Sequence, residues 1–358
     1  MKQEMKVLVA GVGGMGASHA LGYTTTPGFQ VVGFVVSKNV QRATKLAADL
    51  KLKIPVYTDY YKAMAETKPD VVSINTLVDT HAAYSIHAMR QGCHIFIEKP
   101  LAKTVAEAEE VVRVAAETKR KLVIGYILRV HPAWKKFIEI AQTLGKPLIM
   151  RMNLNQQSYG HEWEVHKSFI AQMPPLVDCG VHYVDVMCQM TRATPRLVQG
   201  IAARVSDEVA PDAHNYGALQ VVFDDDSVGW YEVGWGPMMS KVAFFVKDVI
   251  GPKGCVSIDK DVTEVDPSDV SKHTTVDSLI VHSSAMDAKG GQAKKDELVR
   301  ITDEPDHNEL CRREQEYLLK AIREDIDLTD HMADAVNSLK ICFAAVESYR
   351  TGRAIRLT

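Results

Sequence analysis

Gly11-Val12-Gly13-Gly14-Met15-Gly16 stands between a predicted strand and a predicted helix, and this G-x-G-x-x-G string decides the fold of the amino-terminal half. In such a string the first glycine permits a tight turn, the second lets the backbone approach a pyrophosphate, and the third allows close packing of helix on strand. The amino terminus of the following helix offers free N–H groups and a positive dipole end to phosphate oxygens. All four glycines and Met15 are therefore predicted to bind a dinucleotide.

Short apolar runs alternate with helical segments around this loop, from residue 6 to about residue 125. The runs are continuous and rich in β-branched residues, as strands buried on both faces are, and they cover residues 7–10, 31–36, 71–75, 94–97 and 122–125. Apolar residues at helical spacing cover residues 41–50, 79–90 and 106–119. Thr104, with Glu107 three residues on, is the predicted N-cap of the last of these helices. This alternation predicts right-handed βαβ crossovers and a doubly wound parallel sheet, the Rossmann arrangement.

The pattern changes after Tyr126, so we predict a dinucleotide-binding domain over residues 1–125 and a second domain over residues 126–358. Strand-like composition is found at residues 148–154, 197–205, 216–223, 228–235, 242–249 and 256–258. Turn-forming stretches separate several of these segments, which predicts antiparallel hairpins. Helices are predicted over residues 132–142, 176–190, 308–323 and 330–350, a loop over 156–175, and no element over 260–300. The second domain is therefore predicted to be an α+β domain built on an open, mostly antiparallel sheet.

The composition and charge of the chain exclude several classes of protein. Its 358 residues are 46% hydrophobic and 24% charged, which is ordinary for a globular enzyme and too apolar for a disordered chain. Lys and Arg number 42 against 45 Asp and Glu, so a general nucleic-acid binder is not expected. No apolar run approaches the roughly 18 residues of a membrane-spanning helix, and none of the six cysteines forms a CxxC pair. We therefore expect a cytoplasmic protein with reduced thiols, without a disulfide framework or a zinc site.

The residues after the second predicted strand bear on which dinucleotide binds. Where an NAD-binding loop usually carries an Asp or Glu for the ribose 2′-hydroxyl, this chain has Ser37 and Lys38, with Arg42 one helical turn on. A hydroxyl and a cation favour a 2′-phosphate, which a carboxylate would repel. The alternative is that Lys38 is an ordinary solvated surface lysine. We expect NADP(H) to be favoured, with NAD(H) as the second option.

Two further segments carry groups suited to acid–base chemistry. Glu98-Lys99-Pro100 follows the fourth predicted strand, at the carboxyl edge where doubly wound sheets bind their ligands. In the second half, Asp178, His182 and Asp185 share one face of a predicted helix whose other face is apolar. A histidine beside an orienting carboxylate suits proton transfer near neutral pH. The alternative is a surface lysine, a helix-capping aspartate and an ordinary interfacial histidine.

These motifs together resemble the Gfo/Idh/MocA family, which is the family of glucose–fructose oxidoreductase and inositol dehydrogenase. The resemblance rests on the glycine loop, Glu98-Lys99-Pro100, Gly125-Tyr126-x-x-Arg129 and the D-x-G-x-H-x-x-D string at residues 178–185, in the same order over nearly the whole chain. It implies a catalytic trio of Lys99, Asp178 and His182. It also implies cofactor contacts from several loops, made by Thr76, Leu77, His81, Glu98, Lys99 and Arg129. The segment at residues 75–81 keeps the threonine and histidine of the family's loop but lacks its proline.

The same resemblance places the substrate beside the loop that precedes the Asp178 helix. The residues implied to contact the substrate are Lys99, Tyr126, His161, Trp163, Asp178 and His182. The indole of Trp163 would stack on the apolar face of a sugar. A metal site can be imagined from His161 and His166 of this loop together with the Asp178 helix, but the spacing is not a recognised ligand pattern. We expect no metal.

The resulting prediction is an NAD(P)-dependent oxidoreductase that transfers a hydride between nicotinamide and a secondary alcohol or ketone of a sugar, cyclitol or sugar derivative. Two alternatives are an NAD-dependent enzyme that cleaves glycosides by transient oxidation, and a non-catalytic relative that senses cofactor or sugar. We expect a homodimer or homotetramer, because an antiparallel sheet with helices on one face leaves an apolar face uncovered. The large apolar groups available to fill the two faces of that sheet are Val221, Phe223, Trp230, Trp235, Phe244 and Val246.

Overall fold

The structure, a computed structural model, describes residues 4–240, 246–260 and 274–357. Its internal contacts divide the chain into two compact units, Met1–Val130 with Pro305–Val336, and His131–Glu304 with Asn337–Thr358. The predicted domains, 1–125 and 126–358, differ from this division mainly near the carboxyl terminus, where one segment belongs to the first unit.

The first unit contains a sheet of six strands: β1 (Met5–Ala10), β2 (Phe29–Val35), β3 (Val56–Tyr57), β4 (Val71–Ile74), β5 (His94–Ile97) and β6 (Leu122–Ile124). Neighbouring strands run parallel, in the order β3-β2-β1-β4-β5-β6. This order confirms the predicted doubly wound sheet. It places the reversal of strand order between β1 and β4, where such sheets bind their ligands. Strand β3 has only two half-buried residues, too few to show a periodic pattern, and it was not predicted.

Five helices connect these strands: α1 (Gly14–Thr25), α2 (Val40–Asp49), α3 (Tyr60–Thr67), α4 (His81–Arg90) and α5 (Val105–Thr118). The predicted N-cap of α5 is confirmed as a reciprocal capping box. The Thr104 hydroxyl accepts the Glu107 N–H at 3.2 Å, and the Glu107 carboxylate accepts the Thr104 N–H at 3.1 Å. Helix α3, capped by Asp59, was not predicted. Short 3₁₀ turns at Val78–Thr80 and Ile127–Arg129 follow β4 and β6.

The second unit contains a nine-stranded sheet: β7 (Ile149–Gln156), β8 (Pro195–Ala203), β9 (Tyr216–Phe223), β10 (Val228–Trp235), β11 (Lys247–Gly251), β12 (Gly254–Asp259), β13 (Ser278–Ser283), β14 (Glu297–Arg300) and β15 (Ile355–Arg356). The strand order is β14-β13-β12-β11-β7-β10-β9-β8-β15, and among these described strands the β7–β10 pair alone is parallel. The predicted open, mostly antiparallel sheet is confirmed. Strands β13 and β14 correct the expectation that residues 260–300 hold no element. Part of the strand predicted over 242–249 lies outside the described residues.

The second unit also contains helices α6 (Pro132–Thr143), α7 (Gly160–Ile170), α8 (Pro175–Asp178) and α9 (Gly180–Thr191). Helix α7 corrects the predicted loop over 156–175. Its buried face includes Trp163 and His166 at helical spacing, a pattern that is hard to recognise when one member is a histidine. Helices α8 and α9 replace the single helix predicted over 176–190, because Cys179 lies between them. Every residue of α9 is buried, so its polar residues do not form a solvent-exposed face.

Two helices near the carboxyl terminus are α10 (His307–Arg323), which belongs to the first unit, and α11 (Thr329–Thr351), whose residues fall in both units. Helix α10 packs closely against α1 at Gly22, where an added Cβ would lie 3.3 Å from the Cα of Arg312. Leu318 of α10 and Tyr23 of α1 belong to one hydrophobic cluster. This packing joins two helix faces that are far apart in sequence, and it explains why residues 305–336 group with the first unit.

Two further observations concern the chain as a whole. Within the described ranges, no helix combines the length and the apolar composition that crossing a bilayer would need. All six cysteines are free, and four of them are buried.

One face of the second sheet packs against α8 and α9, and the other is partly exposed. The large apolar residues predicted to fill these faces divide into two groups: Val221, Phe223 and Trp235 are buried, and Trp230 and Val246 are partly exposed. Phe244 lies outside the described residues. On the more exposed face, Ile250, Ile149 and Val228 are paired across three neighbouring strands and are 38%, 43% and 37% exposed. They form an aliphatic row on this face.

We expect the chain to form a homodimer or homotetramer that covers this aliphatic row. Changing its central residue, Ile149→Lys, should lower the molar mass in light scattering toward that of the monomer at micromolar protein, because the interface would have to bury an unpaired charge. Ile149→Val keeps the surface apolar and should leave the mass unchanged. A parent protein that is already monomeric at that concentration would contradict the prediction.

Candidate active site

The glycine loop joins β1 to α1 at the carboxyl edge of the first sheet. Gly11 has a φ of +84°, and a Cβ there would lie 2.4 Å from the carbonyl oxygen of Asn75, the residue after β4. A Cβ at Gly16 would lie 1.9 Å from the carbonyl oxygen of Gly11. Both positions therefore require glycine because of backbone packing alone.

Gly13 and Gly14 differ, because nothing lies within 4 Å of a Cβ built on either of them. Both are exposed, as is Met15, and the N-cap residue of α1, Gly13, makes no side-chain capping hydrogen bond. The loop presents an open stretch of backbone at the positive end of a helix dipole. We call Gly13, Gly14 and Met15 the cradle. It fits the pyrophosphate of a dinucleotide, which backbone N–H groups would bind.

The end of β2 lies beside the glycine loop, because the Gly11 N–H donates to the carbonyl oxygen of Val35 at 2.8 Å. Ser37, Lys38 and Arg42 follow this strand end, and all three are exposed. A hydroxyl and two cations are therefore exposed just beyond the end of β2.

His81 joins the loops that follow β4 and β5. Its Nδ1 lies 2.9 Å from the carbonyl oxygen of Pro100, and its Nε2 lies 3.0 Å from that of Thr76. Burial lowers the pKa of His81, although the two carbonyl oxygens act in the opposite direction. His81 is buried, Thr76 is half-buried and Leu77 is 63% exposed. His81 therefore holds the two loops together, and Leu77 is the residue that faces solvent.

Glu98 follows β5 and is bonded at both of its carboxylate oxygens. Its Oε1 lies 2.6 Å from Nε2 of His19 on α1, and its Oε2 accepts the backbone N–H of Lys99 at 3.1 Å. The side-chain amide of Gln315 on α10 donates to Nδ1 of His19 at 3.0 Å. His19 and Gln315 are fully buried, and Glu98 is nearly so. This buried cluster links the backbone of Lys99 to the helix that carries the cradle.

The pKa values of two acidic residues in and beside the buried cluster, Glu98 and Glu314, are shifted in opposite directions. Burial alone would raise the pKa of Glu98, but the hydrogen bond from His19, with the charge and the backbone N–H of Lys99, lowers it overall. Burial, reinforced by the charge of Glu98, raises the pKa of the neighbouring Glu314 well above its usual range. The surroundings therefore favour the carboxylate form of Glu98 and the protonated form of Glu314.

A second feature of this region is a group of metal-ligating residue types. His19, Cys311 and Glu314 offer ligand atoms within 4.8 Å of one another, and this is the one such group among the residues described. Both ring nitrogens of His19 already hold hydrogen bonds, so an ion would have to displace Glu98 or Gln315. We assign no metal to this group.

Tyr126 and Arg129 follow β6 and contact the start of α11. The guanidinium of Arg129 pairs with Asp334 at 2.8 Å and lies 6.0 Å from the ring centroid of Tyr126. The Ile124 N–H donates to Nε2 of His331 at 2.9 Å, which ties the end of β6 to the same helix. Tyr126 is 1% exposed. Arg129 is thus fixed by an ion pair, and the phenol of Tyr126 is part of the packing of the first unit.

In the second unit, Asp178 is the last residue of α8 and His182 lies in the first turn of α9. Cys179 between them keeps a helical backbone (φ −92°, ψ −33°), and its carbonyl oxygen accepts the His182 N–H at 3.1 Å. The predicted spacing of Asp178 and His182, one helical turn apart, is therefore kept. Asp185 differs from its prediction, because it is fully buried and accepts the side-chain amide of Gln189 at 2.9 Å.

His166 of α7 is a buried neighbour of Asp178. Its ring stacks on Trp235 with centroids 4.5 Å apart, and its Nδ1 lies 3.0 Å from the hydroxyl of Ser158. Burial lowers the pKa of His166 to about 4, and the negative charge of Asp178 partly offsets this effect. His166 is therefore a neutral, packed residue at neutral pH.

The other two residues predicted near the substrate in this segment have different exposures. His161 is exposed, whereas Trp163 is 4% exposed. The ammonium of Lys167 lies 5.6 Å from the ring centroid of Trp163. Stacking of Trp163 on a sugar stays a prediction, and the burial of the indole counts against it.

Three buried residues at the carboxyl edge of the first sheet were not predicted: His19, Glu314 and Gln315. His19 stands three residues after Gly16 and four before Tyr23, on the buried face of α1, so its helical spacing could have revealed it. Gln315 had no such signal, because it lies 296 residues from the histidine that it contacts.

Two family models match the chain and together cover most of it. The model described as "Oxidoreductase family, NAD-binding Rossmann fold" matches residues 5–126. The model described as "Oxidoreductase family, C-terminal alpha/beta domain" matches residues 139–357. Both models belong to the family that the sequence motifs resemble.

Individual known proteins are similar to this chain at low identity. Scyllo-inositol 2-dehydrogenase (NAD(+)) of Bacillus subtilis strain 168 is 24% identical, in an alignment covering 100% of this chain and 97% of that protein. UDP-N-acetylglucosamine 3-dehydrogenase of Acidithiobacillus ferrooxidans is 30% identical over 212 residues, or 57% of this chain. The chain thus spans only 60% of the length of that relative. The solved structure of levoglucosan dehydrogenase with NADH and levoglucosan has a TM-score of 0.78 at 20% identity and 99% coverage of both chains, which shows a shared fold.

Proposed function

Because this chain belongs to the Gfo/Idh/MocA oxidoreductase family, we propose that it transfers a hydride between nicotinamide and a secondary alcohol or ketone of a sugar, cyclitol or sugar derivative. The observation that carries the proposal is the cradle, because its open backbone at the start of α1 fits the pyrophosphate of a nicotinamide dinucleotide. Similarity to dehydrogenases of a cyclitol and of a nucleotide sugar supports the substrate class.

Three residues handle the reacting oxygen and its proton in this proposal. His182 takes the hydroxyl proton, Lys99 polarises the oxygen or relays the proton, and Asp178 orients the pair. The bound dinucleotide supplies the hydride acceptor or donor. The contribution of the protein is to align the substrate and to move one proton.

A panel of sugars and cyclitols, each assayed with NAD(H) and NADP(H), tests the proposal. At least one substrate should produce a steady change in the near-ultraviolet absorbance band of reduced nicotinamide. Release of a reducing sugar with no net change in cofactor redox state would instead identify the glycoside-cleaving alternative. Binding of a sugar or dinucleotide without turnover of either would identify the sensing alternative. Either of these results would overturn the proposal.

The cofactor proposal is a preference for NADP(H) over NAD(H). The hydroxyl of Ser37 and the ammonium of Lys38 would both bind a 2′-phosphate, and no carboxylate occurs among residues 36–42 to repel it. A charge-assisted contact contributes roughly 1.5–3 kcal/mol, or about ten- to a hundredfold in affinity. Lys38 is exposed, so part of this is lost to solvent, and we expect a preference and not exclusion of NAD.

The double variant Ser37→Asp with Lys38→Ala should move the preference toward NAD, because it removes the cation and adds a repulsive charge. The quantity to measure is the ratio of kcat/KM for the two cofactors in parent and variant. Lys45→Ala is the matched control, since it removes an exposed lysine further along α2 and should leave the ratio unchanged. A parent that already favours NAD would show that Ser37 and Lys38 do not contact the ribose.

A further inference from the structure

We propose that His19 is a positioning residue, which through its buried hydrogen bond to Glu98 fixes the strand end that carries Lys99. This inference rests on the proposed function, because Lys99 matters only if it acts on a substrate. No motif pointed to His19, and neither family description assigns it a role.

The geometry fixes which proton His19 offers. The side-chain nitrogen of Gln315 is only a donor, so Nδ1 of His19 accepts at 3.0 Å. Nε2 is then the ring nitrogen that donates, and its N–H forms the hydrogen bond to Oε1 of Glu98 at 2.6 Å. Gln315 therefore selects the tautomer that bonds to Glu98.

Glu98 transmits this restraint to Lys99. One carboxylate oxygen accepts a hydrogen bond from Nε2 of His19, and the other accepts one from the backbone N–H of Lys99. Hydrogen bonds to a carboxylate are roughly twice as strong as neutral ones, and here both are at least partly buried. Removing the His19 donor would leave a buried carboxylate with one oxygen unsatisfied, so its side chain would turn and the Lys99 backbone would shift.

The same bond connects Lys99 to the dinucleotide site. His19 lies on the buried face of α1, one turn after Gly16, and the cradle forms the amino terminus of this helix. A shift of α1 when the dinucleotide binds would therefore be passed to Glu98 and the lysine. A small misplacement of a catalytic group is sufficient to lower turnover strongly.

If His19 only packs in the interior, its variants should affect activity differently from what we propose. Glu314 provides the matched control for this alternative. Glu314 is buried beside the same cluster, and burial raises its pKa well above the usual range. Glu314→Gln replaces the carboxyl group by an amide of the same shape. If the cluster only fills space, His19 and Glu314 variants should behave alike.

The experiment compares His19→Leu, His19→Gln and Glu314→Gln in the full-length protein. His19→Leu should lower kcat about tenfold or more, with the dinucleotide Kd within about twofold of the parent. His19→Gln keeps an N–H donor near the position of Nε2 and should recover most of the loss. Glu314→Gln should stay within about twofold of the parent. An activity-independent readout is the rate at which acetic anhydride acetylates Lys99 relative to Lys103 of the same loop, measured by mass spectrometry; it should change in His19→Leu alone.

The outcomes separate this inference from the proposed function. If the parent turns over no sugar or cyclitol, the proposed function fails, and the acetylation ratio still decides whether His19 positions Lys99. A folded His19→Leu protein with parental kcat and acetylation ratio would overturn the inference, as would equal losses in His19→Leu and Glu314→Gln. If His19→Leu does not fold, Gln315→Met takes its place. Without the Gln315 amide, the proton of His19 is no longer held on Nε2, so kcat should fall about threefold and the acetylation ratio should change as in His19→Leu. No change in either quantity would overturn the inference.

Discussion

We expect Lys99→Met to lower kcat by a factor of about 10² or more and to change the affinity for the dinucleotide little. His182→Ala is expected to have an effect of the same size. Both side chains are proposed to act on the reacting oxygen and its proton, so they stabilise the transition state more than the bound substrate. The measurements are kcat and KM for the substrate, with the dinucleotide Kd from a separate binding titration.

Each of these variants has a matched control elsewhere in the same unit. Lys103 lies in the same loop as Lys99 and pairs with Asp79 at the surface, where ion pairs contribute little, so Lys103→Met should have parental kinetics. His282 of β13 pairs with Asp296 and is partly exposed, so His282→Ala should also leave turnover unchanged. If His182→Ala turned over within a few-fold of the parent, His182 would be a structural residue of α9.

The glycine loop offers the second large effect, because two of its glycines are required for different reasons. In Gly16→Ala, the added methyl group would lie 1.9 Å from the carbonyl oxygen of Gly11. No side-chain rotation relieves a contact with backbone, so we expect a loss of about 3 kcal/mol in the free energy of unfolding of the first unit. The midpoint of thermal unfolding should fall by several degrees, with or without dinucleotide.

Gly13→Ala is expected to weaken dinucleotide binding and to leave the stability of the protein unchanged. Nothing lies within 4 Å of its added methyl group, so the thermal midpoint without dinucleotide should match that of the parent. The methyl group would point into the space where the pyrophosphate approaches, so dinucleotide affinity should fall at least about tenfold. A parental Kd in Gly13→Ala would contradict the proposed position of the cradle, and a parental melting point in Gly16→Ala would contradict the packing argument.

The parts of this protein that could be predicted from sequence are those encoded by neighbouring residues. The spacing of the glycines, the alternation of strands and helices, and the capping box at Thr104 each depend on contacts within a few positions of the chain. The one-turn spacing of Asp178 and His182 could likewise be predicted, although the division of the segment into α8 and α9 could not. Whether these two residues act with Lys99 remains a prediction that the variants above test.

What only the tertiary structure decided are the contacts between segments far apart in sequence. The apolar pattern of α10 predicts a helix. It does not predict that this helix packs on α1 or that Gln315 forms a hydrogen bond with His19. The same holds for Trp163 and Asp185, whose residue types suggested an exposed role and whose surroundings bury them. The period of a helix or strand is set by backbone geometry, so the sequence alone specifies which residues share a face. The partner of that face is determined by how all the elements pack at once, and no local stretch of sequence contains that information.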